Sequence, residues 1–164
     1  MEQNENIPSI LELSDEQLYE YSQLLNELPI RYAKLHAKKD SYGTDDLLSV
    51  AEVHMLTQIA DNPNITASEL ASYWNYTKGA ISHIIKSLSE KDLITRRRDS
   101  VDSLKIFLNV SDKGKKVSDY HKAGDAAYIR TQFTKLREVF TDEEIYTYLQ
   151  IHRYYGELVR KLEK

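Results

Sequence analysis

Thr66 and Thr77 stand eleven positions apart, and each opens a helix. Thr66-Ala67-Ser68-Glu69 has capping-box spacing, in which the hydroxyl takes a backbone N–H while the glutamate reaches back to the cap. Thr77 stands ahead of Ile81, Ile84, Ile85 and Leu88, an apolar stripe at helical spacing. Only a short helix and a tight turn fit between the two starts. Leu70, Ala71 and Trp74 give that short helix an inward side, and Asn75 tolerates the left-handed backbone that such a turn needs.

After Leu93 the apolar period drops from 3.6 to 2. Leu104, Ile106, Leu108 and Val110 alternate with Lys105, Phe107 and Asn109, which predicts a strand with one buried face. Ile94 to Arg97 is expected to pair with it across a polar loop from Arg98 to Ser103. Residues 66–110 thus read as two short helices followed by a two-stranded ribbon, a combination suited to gripping a DNA duplex.

The flanks are helical. Residues 1–12 are polar and expected to be mobile. Ser14 and Gln17 have capping-box spacing, and Leu18, Tyr21, Leu25, Leu28, Tyr32 and Leu35 form one apolar face, interrupted by Pro29, which is expected to kink the helix or to cost it a hydrogen bond locally. A second helix is expected to start near Asp45 or Ser49 and to bury Val53, Leu56, Ile59 and Ala60; Asp61-Asn62-Pro63-Asn64 ends it. Ser111 opens a long fifth helix with Val117, Tyr120, His121, Gly124, Ala127, Tyr128, Thr131, Phe133 and Leu136 as packing positions. Thr141 opens the last helix, with Ile145, Tyr148, Leu149, Tyr155, Leu158, Val159 and Leu162 along one face.

The formal net charge is -4, but its distribution matters more than its sum. From Thr77 to Lys122 there are eleven lysines and arginines against six acidic residues. A basic segment on an acidic body can meet phosphate while the remainder keeps the chain soluble. No window approaches the roughly 20 apolar residues of a membrane span, and the acidic N-terminus does not resemble a secretory signal. A cytoplasmic protein without a membrane association is expected. Cysteine is absent, which excludes disulfides, thiolate nucleophiles and thiol sensing within this chain. No Gly-rich phosphate loop, nucleophile elbow or metal-ligand cluster is present, so no enzyme, no cofactor and no metal site is expected.

Several stretches, in order and in register, resemble the multiple-antibiotic-resistance-regulator (MarR) family of winged helix-turn-helix repressors. They are Leu48-Ser49 with Glu52 and Leu56; Leu70-Ala71 six residues or more ahead of Lys78; Leu88 with Lys91-Asp92-Leu93-Ile94; Arg96-Arg97-Arg98-Asp99 with Asp102; and Leu108, Val110, Ser111 and Gly114. With its helical flanks the likeness covers nearly the whole chain. The fold it implies is mainly α with a small β-wing: a winged helix-turn-helix domain plus N- and C-terminal dimerisation helices. Residues 1–164 form one unit of this type, with 45–110 as the DNA-binding part and 13–40 and 111–164 as dimerisation helices. Three positions depart from the family. Asp92 replaces a glycine, Asp102-Ser103-Leu104 replaces the wing's Asp-Arg-Arg, and Ser111 replaces threonine.

The resemblance implies a sequence-specific DNA-binding transcription regulator: a homodimeric repressor, with helices that intertwine, released by a small-molecule effector lodged between its dimerisation and DNA-binding parts. Two copies of the fourth helix would enter successive major grooves of a near-palindromic operator. The candidate DNA contacts are Thr77, Lys78, Gly79, Ser82, His83 and Lys86 on that helix, and Arg96, Arg97, Arg98 and Lys105 in the wing. Lys78 and Lys86 suit phosphate or guanine, while Ser82 and His83 reach base edges or phosphate. The three arginines alternate along a strand, so they cannot all face one way. One or two are expected at the duplex, and another in a salt bridge to Asp99 or Asp102.

Each of these residues also fits a blander role. The four polar residues on the helix could be solvated surface, the arginine run a solvated edge, and the twelve tyrosines interface residues rather than pocket lining. Two other functions compete: a protein-interaction module that retains the winged-helix shape, and a metal- or pH-responsive regulator using histidines. The second requires His54 and His121 to meet in space.

Overall fold

The computed structural model describes residues 9–100, 102 and 104–162. Residues 1–8 and Ser103, for which the sequence predicts a mobile start and a loop end, lie outside the described residues. The chain divides into two compact units, residues 1–39 and 40–164.

The first unit holds a 3-10 turn at Ile10–Glu12 and helix α1, Asp15–Leu35. Ser14 caps α1 as expected: its hydroxyl accepts from Gln17 N, and Gln17 Oε1 accepts from Ser14 N. The helix runs on through Pro29 as one element to Leu35. Its apolar face is uncovered, with Leu18, Tyr21, Leu25, Leu28, Tyr32 and Leu35 all exposed.

The second unit contains α2 (Val50–Asp61), β1 (Ile65–Thr66), α3 (Ala67–Trp74), α4 (Lys78–Glu90), β2 (Ile94–Arg98), β3 (Ile106–Val110), α5 (Asp112–Leu136) and α6 (Asp142–Leu162). Of the two starts expected for α2, Ser49 is the one used; it forms a capping box with Glu52. Leu48, Val53, Met55, Leu56, Ile59, Leu70, Ile81, Ile85, Leu88, Leu93, Ile94, Leu108 and Val117 form one buried core. Burying each such side chain contributes about 1.5–3 kcal/mol, which explains why α3, too short to stand alone, is held.

The sheet differs from the two-stranded expectation. It has three antiparallel strands in the order β1-β3-β2, because Ile65 and Thr66 pair with Leu108 and Phe107 along the other edge of β3. Two residues are too few to show a period in sequence. The apolar alternation also overstated β3. Leu104 lies in the turn and is 92% exposed, while Ile106 starts the strand at the turn end of the ribbon and is 40% exposed. Core contact begins only at Leu108.

Two helix ends use left-handed non-glycine residues. Asn75, between α3 and α4, has φ 50°, as its place in the sequence predicts. Asp92, after α4, has φ 56°. There Leu93 N donates to Leu88 O and Asp92 N to Ser89 O, the pair of bonds of a Schellman cap with aspartate in the position glycine favours.

In α5 only the first turns are buried, at Gly114, Val117, Ser118 and His121. Of the later packing positions expected from sequence, Gly124, Ala127 and Thr131 are exposed and Tyr128, Phe133 and Leu136 half-buried. Tyr120 is also exposed, though its ring lies against Gly43. Thr141 and Glu144 cap α6 reciprocally. Along its predicted face only Ile145 is buried; Tyr148, Leu149, Tyr155, Leu158, Val159 and Leu162 are exposed. Among the described residues no helix is long and apolar enough to cross a membrane.

Candidate DNA interface

The exposed side of α4 is set by its cap and its stripe. Thr77 Oγ1 accepts from Ala80 N at 3.2 Å, which fixes where the helix begins. Ile81, Ile85 and Leu88 then lock its rotation by facing the core. Lys78, Gly79, Ser82, His83 and Lys86 consequently all face solvent, together with Thr77. A Cβ added at Gly79 would meet nothing within 4 Å, so the surface there is bare backbone. Lys86 has Glu90 at 3.7 Å, an exposed pair one turn along the helix that is worth little and leaves the ammonium available.

The hairpin puts Arg96 opposite Leu108, Arg97 opposite Phe107 and Arg98 opposite Ile106. Alternation separates Arg96 and Arg98 from Arg97, as expected. Arg96 turns back to α4: its Nε donates to Ser89 Oγ at 3.0 Å and its Nη2 to the Ile85 carbonyl at 3.3 Å. Arg97 Nη2 donates to Asn64 Oδ1 at 3.1 Å, and its guanidinium lies 4.8 Å from the centre of the Phe107 ring. Lys105 Nζ lies 5.1 Å from the same ring. Arg98 is exposed, with no hydrogen-bond or ion-pair partner among the described residues. The sequence therefore groups three arginines that the fold sends to three different places.

Sequence reasoning missed Asn64, Asn109 and Ser89. Asn64 has φ 66°; its N–H donates to Asn109 Oδ1 at 3.0 Å, and its own Oδ1 accepts from Asn109 Nδ2 at 3.2 Å. Its place in an Asn-Pro-Asn turn was the only signal, and that signal reads as an ordinary helix stop. Near the wing's far end Asp102 Oδ1 accepts from Leu104 N at 3.0 Å, and Asp99 N donates to the Lys105 carbonyl at 2.9 Å, closing the turn.

Away from this surface, His54 and His121 do meet. His121 Nε2 and His54 Nδ1 lie 3.4 Å apart, and Asp125 Oδ2 lies 3.4 Å from the same His121 nitrogen. Burial lowers the His121 pKa; Asp125 opposes that and His54 adds to it. The Tyr42 ring stands edge-on to His121. Among the described residues no group of three or more His, Cys, Asp or Glu is arranged to hold a metal ion. The elbow between α5 and α6 encloses a cavity of about 450 Å³ lined by Leu136, Phe140, Glu144, Ile145 and Tyr148. It is largely apolar, and Tyr148 is the only tyrosine among these lining residues.

A sequence profile of the MarR family matches residues 48–103. The chain is 27% identical over 120 residues to an uncharacterised HTH-type transcriptional regulator, YhjH, of Bacillus subtilis (strain 168); the match takes in 73% of this chain and 66% of that protein. In structure it is similar to Streptococcus pneumoniae FabT in complex with DNA, with a TM-score of 0.66 at 22% identity over 91% of this chain and 99% of that one. It is also similar to the MarR family transcription regulator SP03579, with a TM-score of 0.69 at 20% identity over 88% and 94% of the two chains. At these identities the two structural likenesses are likenesses of fold.

Proposed function

We propose, from the premise that residues 48–103 are a MarR-family winged helix-turn-helix, that the chain is a sequence-specific DNA-binding transcription regulator acting as a homodimeric repressor in the cytoplasm. The observation that carries this reading is the solvent-facing side of α4. It offers two lysines, a serine, a histidine and bare glycine backbone on a helix whose rotation is fixed by its buried stripe. In this reading Lys78 and Lys86 meet phosphate, Ser82 and His83 reach base edges, and Thr77 and Gly79 let the first turn approach the duplex closely. Arg98 and Lys105 meet the backbone beside the wing.

The exposed apolar faces of α1 and α6 support dimerisation, since monomeric proteins rarely leave such continuous faces in water. A two-fold dimer sets the two copies of α4 about one helical turn of DNA apart, near 34–36 Å. The α5–α6 cavity, at about 450 Å³, is in the size range of small-molecule pockets and supports an effector that is mainly apolar.

Selection of bound duplexes from a random pool tests this. A near-palindrome with half-sites about 10 base pairs apart is the expected product. Enrichment of no sequence above nonspecific DNA, with protein shown to be dimeric by sedimentation, would sink the reading.

The contact of His54 with His121 favours a second reading, in which operator affinity responds to pH. The pair joins α2, beneath the helix-turn-helix, to the buried start of α5. Operator affinity that stays level from pH 7.5 to 5.5 would rule it out.

A further inference from the structure

The three wing arginines are alike in sequence and unlike in what they touch. We propose that Arg96 is a positioning residue that fastens the wing to the recognition helix, and that Arg98 is the arginine of this run that meets phosphate. This rests on the proposed DNA-binding function for its consequence, though the fastening itself is a property of the free protein.

Arg96 lies on the core side of β2, opposite buried Leu108. From there its guanidinium reaches α4 by two bonds, Nε to Ser89 Oγ at 3.0 Å and Nη2 to the Ile85 carbonyl at 3.3 Å. Ser89 Oγ in turn donates to the same carbonyl at 2.8 Å, so guanidinium, hydroxyl and carbonyl close one small ring of hydrogen bonds. The site suits a cation, because the carboxyl-terminal half of a helix carries the negative end of its dipole. It also suits arginine over lysine, because one planar fork supplies two donors aimed at two fixed acceptors.

The opposite face of the strand is fastened too. Arg97 donates to Asn64, and Asn64 is doubly bonded to Asn109 of β3. The wing is therefore tied on one face to α4 and on the other to the turn ahead of α3. Two of the three guanidinium groups are already turned toward acceptors in the protein. Arg98, two residues on, lies on the same face of the strand as Arg96, and its side chain has no hydrogen-bond or ion-pair partner among the described residues.

The two roles separate through salt. A cation that neutralises a phosphate releases counterions, so its loss lowers the slope of log affinity against log salt by about one. A residue that only holds the wing in place lowers affinity and leaves that slope alone. The experiment uses the full chain and the duplex recovered by selection, with affinity measured from 50 to 300 mM salt, and amide hydrogen exchange measured on the free protein.

Arg98→Gln should reduce the slope by about one unit and leave wing exchange unchanged. Arg96→Gln should weaken binding roughly tenfold at every salt concentration, a near-parallel shift, and should speed exchange of the β2 and β3 amides. Ser89→Ala removes the Nε acceptor without touching any charge; it should move affinity and exchange in the same direction as Arg96→Gln, by less. Arg96→Lys should not restore the wild-type values. A full unit of slope lost in Arg96→Gln, or wild-type wing exchange in both Arg96→Gln and Ser89→Ala, would overturn the proposal. Absence of any preferred duplex for the wild-type chain would instead overturn the proposed function, and the exchange data would still decide whether Arg96 fastens the wing.

Discussion

Lys91 Nζ lies 2.5 Å from Glu52 Oε1, joining the end of α4 to the first turn of α2. Ser87 Oγ donates to the same oxygen, and Ser49 donates to Oε2 through both its N–H and its hydroxyl. Burial by itself would raise the Glu52 pKa, yet the four hydrogen bonds from Lys91, Ser49 and Ser87 outweigh it and bring the carboxyl down to about 2. Removing one member of a buried, bonded ion pair typically costs about 3–5 kcal/mol. Glu52→Ala should fall in that range by urea denaturation, and Lys91→Met should cost less, because the Glu52 carboxylate keeps its serine donors. With its folded-state pKa depressed, Glu52 contributes its stability above its ordinary value of 4.5 and loses it as pH falls toward about 2. The gap between wild type and Glu52→Gln should therefore narrow across that window; a gap constant from pH 7 to 2 would contradict the assignment.

Two helical glycines should respond in opposite ways to alanine. At Gly114 an added Cβ would sit 1.9 Å from the Leu93 carbonyl oxygen, a backbone atom with no freedom to withdraw. Gly114→Ala should lose roughly 3 kcal/mol or more. At Gly79 the same methyl meets open space, so Gly79→Ala should gain about 0.5–1 kcal/mol of helix stability. If the first turn of α4 approaches a duplex, that variant should also bind DNA more weakly despite its higher Tm. Unchanged affinity would show that the turn stays clear of the duplex.

Asp92 closes α4 with φ 56°, a conformation that costs an L-residue more than glycine. Asp92→Gly should raise stability by up to about 1 kcal/mol, because the Schellman bonds to Leu88 and Ser89 are made by backbone groups and survive. A β-branched residue such as valine at 92 should destabilise. A calorimetric scan of the three chains tests the order glycine, aspartate, valine.

The folded chain resists protonating His121, chiefly through burial and then through His54, with Asp125 acting the other way. A histidine whose pKa is lowered on folding costs nothing above its ordinary value of 6.5. Below that the unfolded chain binds the proton more readily, so stability falls as pH drops. His121→Gln should show a shallower loss of stability between pH 7 and 5 than wild type. Tyr42 and Asp40 also belong to this neighbourhood, since Asp40 and Asp125 both act on the Tyr42 hydroxyl. Parallel profiles for the two proteins would mean the pair does not govern the acid limb.

Features set by local chemistry were legible in the sequence. Ser14, Ser49, Thr66, Thr77, Ser111 and Thr141 each cap the helix that their spacing predicts, because a cap and its partner lie within three residues of each other. The outward set from Lys78 to Lys86 followed from the inward set of isoleucines on the same helix. Features set by distant partners were hidden. Arg96 finds Ser89 seven residues back, and Arg97 finds Asn64 at a separation of 33, so a run of three arginines gave no hint of its division. The run of alternating residues from Leu104 likewise could not reveal where the ribbon outruns the core. Tyr148 and Leu158 kept the helical period predicted for α6 without burial inside the chain, since a period records amphipathicity and not what covers it.

Thr66 is the last residue of β1, paired with Phe107, and also the residue whose hydroxyl starts α3. The sheet and the helix-turn-helix therefore share one residue as a common origin. A single residue inserted between Asn62 and Thr66 cannot be absorbed: holding the strand register delays the helix, and each position of delay turns a helix face by about 100°. The turn thus behaves as a gauge of fixed length, tolerant of many side chains and intolerant of any change in their number.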